Sequence, residues 1–415
     1  MPTSFLSDLG PLVTSTLSGQ VTIAFSLTLL GAVAIGKLRS TAYRQDEKVK
    51  AASPPSLPRE LLLPVIHRDP DHIARADIVS EISGLILSGN WQAVADQIAE
   101  WEEKLEATPA GTRSHDIAVE TCLAALQNLI DEAPRDTIDA LGGAEIAVEQ
   151  MVAIHRAHPD NHILAVIAAR AHMILAETCE ADFWPEAERR NAYRKMAHHF
   201  LSAEGILNHF DAVTHMSPLV AGSAYRLAMG MPDGGSRMRP AFEDWIDLDP
   251  SDPAIYATHA INILPDAQGS VGEILQEADR AERRTKETLG QGGYALFVMP
   301  VIEEDETLRE HVEAERLAAG LMDLARMSGT QAEINWAAAC LARESAYGTA
   351  HRRQVMLSAF DALVRRHLGV IYPRLWDLPL DEIRAKLKDV FDGVTKSNGD
   401  AHEDDTVSDS NAVAA

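Results

Sequence analysis

Apolar residues recur roughly every three to four positions along most of the chain, the spacing of helices with one buried stripe. Ile78, Ile82 and Leu85 begin one stripe, and Ser88-Gly89-Asn90 interrupts it as a helix C-terminus does. Trp91, Val94, Ile98, Trp101 and Leu105 form the next, flanked by Glu100 and Lys104 at i,i+4. The pair predicts a helical hairpin with a very short turn. Ile117, Val119, Cys122, Leu123, Leu126 and Leu129 predict a third helix, closed by Pro134. Leu380, Ile383, Leu387, Val390 and Phe391 predict a last one, with Asp377 and Pro379 at its start. Ala295-Leu-Phe-Val-Met299 has the look of a strand, but Pro300 follows and it has no obvious partner. A lone strand leaves its backbone groups unsatisfied, so a buried helix end is the expectation.

One stretch breaks this alternation. No charged residue occurs from Leu9 to Gly36, and Lys37, Arg39, Arg44, Lys48 and Lys50 follow. The length suits a membrane-spanning helix, with Thr14, Ser15, Thr16, Ser18 and Gln20 towards one interface. Two alternatives stay open: a cleaved signal peptide, suggested by Ala32-Val-Ala34, and a buried or peripheral helix. A basic start is missing and a clean polar stripe is absent, so the expectation is a single-pass anchor. The basic flank places the N-terminus outside and the body in the cytoplasm, at a membrane of bacterial type. A periplasmic body on a signal anchor is the inverted alternative.

The chain thus divides into an N-terminal transmembrane helix at 1–38, a Pro-rich linker at 39–70, an all-helical body at 71–395 and an acidic tail at 396–415. Ser53-Pro-Pro-Ser-Leu-Pro58 disfavours helix and favours an extended, semi-rigid path. The tail has almost no bulky apolar residue and is expected to be disordered.

Charge narrows the partners. The formal net charge is −25, and the first fifty residues are slightly basic, so the excess acid lies in the body. Such a surface repels phosphate backbones and argues against nucleic acid. Cys122, Cys179 and Cys340 are too few and too far apart for a disulfide framework or a zinc site. Each is expected as a small buried apolar residue.

Two segments share a helix, a proline turn and a second helix. One runs from Ala147 and Met151 through His158-Pro159-Asp160-Asn161 to Leu164, Ile167, Ala168 and Ala171. The other runs from Phe242 through Pro250-Ser-Asp-Pro253 to Tyr256 and Ala260. They resemble the junctions between tetratricopeptide repeats, with Phe242, Pro250 and Tyr256 at the aromatic, proline and aromatic positions and Ala260 at the small one. The two prolines are not spaced by a multiple of that repeat, and His259-Ala260 replaces the usual Leu-Gly pair. The resemblance implies an all-α fold: an α-solenoid with a concave surface for a protein or peptide partner. An irregular helical bundle is the alternative.

Catalytic chemistry finds little support. His155, His158 and His162 do not share a face, because Pro159-Asp160 breaks the helix between them. His198 and His199 point apart, and His209 and His215 add no ligand spacing. There is no HExxH, no Glu-x-x-His and no G-x-S-x-G. Gly230–Arg237 and Gly290–Gly293 lack a preceding strand and read as interhelical loops. Glu303-Glu-Asp-Glu306 reads as the start of a helix. Trp91 and Trp101 are expected in the core, and Trp184, before Pro185, partly exposed. The expectation is therefore no catalytic, cofactor or metal residue. It is a membrane-anchored scaffold or adaptor for a protein partner. An α-helical enzyme or small-ligand-binding protein without a local motif is the alternative.

Overall fold

The computed structural model describes residues 63–67, 70–232, 234–264 and 270–403. The expected anchor at 9–36, most of the linker and the end of the tail lie outside these. The described residues are mainly helical, with no strand among them and only two isolated bridges, Val65–Ile371 and Ala107–Arg113. The all-α expectation holds. Among the described residues no helix is long and apolar enough to cross a membrane.

The chain forms two compact units. Unit 1 takes Ile73–Thr108 and Thr112–Asp249; unit 2 takes the described residues up to His72, Pro109–Gly111 and everything from Pro250 onward.

Helices α1 (Pro70–Leu87), α2 (Trp91–Glu103), α3 (Ser114–Asp131), α4 (Gly142–Ala157) and α5 (His162–Thr178) come first. They are followed by α6 (Arg189–Leu207), α7 (Ala212–His215), α8 (Pro218–Gly230) and α9 (Gly234–Leu248). The expected hairpin of α1 and α2 is present. Gly89 turns the chain at φ 71°, and the Asn90 side chain caps α2 by accepting from Ala93 N at 3.1 Å. Trp91 and Trp101 are buried, as expected. At its other end α2 closes with Leu105 at φ 47° and Glu106 N donating to Trp101 O at 2.9 Å. The core of unit 1 is α5, which is apolar on nearly all sides and packs against α2, α3, α4, α6 and α8. Asn161 caps it through Leu164 N at 3.1 Å, so Pro159-Asp160-Asn161 does form the turn its residues predict.

Two expectations need correction here. Trp184 is buried rather than partly exposed: its Nε1 donates to Thr178 O at 3.0 Å and Arg135 covers its ring. Of Gly230–Arg237, Gly230 ends α8 and Gly234 to Arg237 belong to α9. Gly234 already opens α9 at a point where a Cβ would fall 1.9 Å from Ala228 O, so the glycine answers a close approach of α8 and α9.

Unit 2 contains α10 (Pro253–Asn262), α11 (Val271–Leu289), α12 (Gly292–Glu304) and α13 (Ala314–Ser328), then α14 (Gln331–Glu344), α15 (Ala350–His367) and α16 (Leu380–Glu403). Its centre is α12, buried along almost its whole length against α10, α11 and α13. The apolar run Ala295–Met299 is the middle of α12, not its end, because the helix continues through Pro300. Burial on every side removes the polar face that would have shown the helical period. The acidic run is also placed differently. Glu303 and Glu304 finish α12, while Asp305 caps the 3-10 turn Glu306–His311 through Thr307 N at 2.9 Å. Gly290 ends α11 at φ 60° and the following glycines begin α12.

The second proline junction sits where the chain leaves unit 1. Before it, α9 packs on α8; after it, α10 packs on α12. Tyr256 Oη donates to Pro250 O at 2.5 Å and Asp252 caps α10 through Ala254 N at 2.9 Å. Downstream, two α14 side chains one turn apart hold residues 367–376. Gln331 Oε1 accepts from Gly369 N and Val370 N, and Asn335 Oδ1 accepts from Tyr372 N and the buried Trp376 Nε1. Helix α16 extends to Glu403, into the segment expected to be disordered.

Candidate functional site

Several of the histidines meet buried polar partners. His162, the first residue of α5, sets Nε2 3.2 Å from Glu102 Oε2. The other oxygen of Glu102 accepts from Ser217 Oγ at 2.6 Å and from Leu219 N at 2.9 Å. Burial acts to raise the pKa of this carboxyl, but the His162, Ser217 and Leu219 hydrogen bonds outweigh it and hold the value below the ordinary one. Ser217, Glu102 and His162 are the residue types of a nucleophilic triad in the wrong order, with the carboxylate in the middle. Ser217 is fully buried, and its hydroxyl already caps α8 by accepting from Val220 N at 3.1 Å. The arrangement anchors the N-termini of α5 and α8 on one anion.

His172 and His199 form a second buried contact, Nδ1 to Nδ1 at 2.9 Å. Burial pushes both down to about 4, helped at His172 by His198 and at His199 by His172. One ring donates to the other and neither carries charge at neutral pH. His199 and His198 border a groove of about 630 Å³ between α4 and α6, where Glu145 pairs with Lys195. His155 lies on α4 and His158 beyond its end; the described residues hold no group of three or more histidine, cysteine or carboxylate side chains suited to a metal. Cys122 and Cys340 are buried and pushed up to about 12, Cys179 to about 11, in each case chiefly by burial. None supplies a thiolate at neutral pH.

The other opening is of a different kind. In unit 2 a cleft of about 530 Å³ is walled by Pro253, Ala254 and Ala257 of α10, Leu296, Met299 and Pro300 of α12, and Ala332 and Trp336 of α14. Leu289 of α11, Leu324 and Met327 of α13, and Leu375 complete its apolar surface. Trp336 is half-buried there and Met327 is exposed at the rim. The polar lining is Ser251, Thr288, Glu303 and Glu333. Glu303 also pairs with Arg343, and Glu333 forms a capping box with Thr330, whose Oγ1 donates to its carboxylate at 2.8 Å. A concave, mainly apolar site with a few polar groups is the usual form of a binding pocket, and this volume lies in the range for one.

No sequence motif pointed to these residues. The one local trace is Pro300 within an otherwise unbroken apolar run. No protein-family model matches the chain, and no curated protein or solved structure matches it either.

Proposed function

We propose that the chain is a membrane-held helical scaffold, a tetratricopeptide-like stack in which the cleft of unit 2 receives a segment of a protein partner. The observation that carries this reading is the composition of the cleft wall: α10, α12 and α14, alternate helices of the unit, supply most of it. Stacked helical hairpins bring alternate helices to one concave face, and such faces bind other proteins. The membrane part rests on the uncharged run Leu9–Gly36 and the cations after it, which favour a cytoplasmic body.

Site-directed photocrosslinking in intact cells tests the reading. A crosslinker at Met327, exposed at the cleft rim, is expected to give a discrete protein adduct. The same group at Leu357, similarly exposed on α15, is expected to give none. Equal labelling from both positions, or none from Met327, would sink the proposal. A small-ligand reading also has one observation in its favour, the volume of the cleft; a dialysable compound that abolished the Met327 adduct would support it.

A further inference from the structure

The polar groups of the unit 2 cleft are strongly biased in kind. Among the described residues that line it there is no lysine, arginine or histidine. Glu303, paired with Arg343, and Glu333, at the start of α14, are the charged groups of the lining, and both are carboxylates. Pro300 adds an acceptor of another sort. It has no N–H, so the Leu296 carbonyl one turn earlier receives no helical bond from it. Leu296 and Pro300 both line the cleft, so this interrupted edge of α12 belongs to its wall. Ser251 and Thr288 add hydroxyls, which carry no charge. Trp336 presents an aromatic ring, the best side chain for covering a cation.

Apolar walls exclude a fully hydrated ligand, and the acceptors and carboxylates disfavour an anionic one. From this complementarity we infer that the cleft takes a peptide segment of the partner in which bulky apolar side chains are flanked by lysine or arginine. The inference rests on the scaffold reading above and adds the chemistry of the occupant. The formal net charge of −25 acts in the same sense at longer range, drawing basic segments towards the protein before contact.

The test uses the full-length protein and a pair of fluorescein-labelled amphipathic peptides. Both have leucines at the same positions; one has lysine and the other glutamate at the polar positions. Fluorescence anisotropy is expected to show the lysine peptide binding about tenfold tighter or more. E303Q/E333Q is expected to weaken the lysine peptide severalfold. Met327→Lys, an exposed rim substitution that leaves the core untouched, is expected to erase the preference. Ala257→Trp, checked for unchanged circular dichroism, is expected to block both peptides. Equal binding of the two peptides, abolished by Ala257→Trp, would overturn the charge inference while leaving the cleft as a peptide site. Binding of neither peptide, or a lysine preference that survives Met327→Lys and Ala257→Trp, would overturn the cleft reading as well.

Discussion

Each unit buries a carboxylate against arginine, and they do so differently. In unit 1 Asp249 meets one guanidinium face-on: Arg113 Nε and Nη2 reach its two oxygens at 2.6 and 2.5 Å, and Arg113 Nη1 donates to Leu105 O at 2.8 Å. In unit 2 Glu344 lies between Arg309 Nε at 3.0 Å and Arg352 Nη2 at 3.1 Å, all on one oxygen. Its other oxygen and Arg352 Nε are buried without a hydrogen-bond partner. The two-point pair of unit 1 has close geometry; the shared pair of unit 2 is looser and is supplied by two arginines. The openings differ in the same direction. Unit 1 gathers Glu102, His172 and His199 inside and leaves a groove lined mainly by charged and polar residues, whereas unit 2 leaves part of its apolar interior open as a cleft.

The sharpest way to break this comparison is to remove one arginine from each pair. Arg113→Met leaves Asp249 buried without its bidentate partner and is expected to cost about 3–5 kcal/mol in urea denaturation. Arg352→Met leaves Glu344 still facing Arg309, and its expected cost is smaller, about 2 kcal/mol. Equal losses would mean that the second arginine of unit 2 does not share the charge.

Acid should act on unit 1. A histidine held at about 4 in the folded chain, below its ordinary value near 6.5, favours folding only while neutral. The stability is therefore complete above about pH 6.5 and is lost as the pH falls towards 4, by roughly 3 kcal/mol for one such histidine. Hydrogen exchange at falling pH is expected to show α5 and α6 losing protection, and H172L/H199L to flatten that dependence. A pH-independent protection pattern would contradict the neutral pair.

Asn335→Leu removes the acceptor of Tyr372 N and Trp376 Nε1, with an expected cost of about 2 kcal/mol by denaturation. The effect belongs to unit 2, and a loss of exchange protection confined to residues 367–376 would locate it. At the far end of the scale, the exposed pair Lys104–Glu100 at 2.5 Å is expected to be silent: Lys104→Ala should leave the denaturation midpoint where it was.

The parts of the fold that could be read in advance are those written locally. The stripe Trp91, Val94, Ile98 and Trp101 marks α2, and Pro159-Asp160-Asn161 marks the turn before α5, because period and capping involve neighbours only. What could not be read depends on partners far apart. Glu102 gains Ser217 and Leu219 from another helix, and Trp184 is buried by a fold-back on Thr178 and by Arg135. The cleft leaves no local mark in the sequence because each of its walls has the pattern of an ordinary core stripe; only the stacking of several helices leaves Trp336 and Met299 around a shared space. The histidines, conspicuous as a group, are dispersed among caps and packed rings.

The bridge between Val65 and Ile371 sets an order on assembly. Ile66 N donates to Ile371 O at 3.0 Å, and Ile371 N to Pro64 O at 2.8 Å. These residues belong to unit 2, yet every described residue of unit 1 lies between them in the chain. On a ribosome working from the N-terminus, Val65 emerges early and waits until unit 1 and most of unit 2 have been made before its partner exists. Joining the two sides of unit 2 is in this sense a late event in the life of the nascent chain.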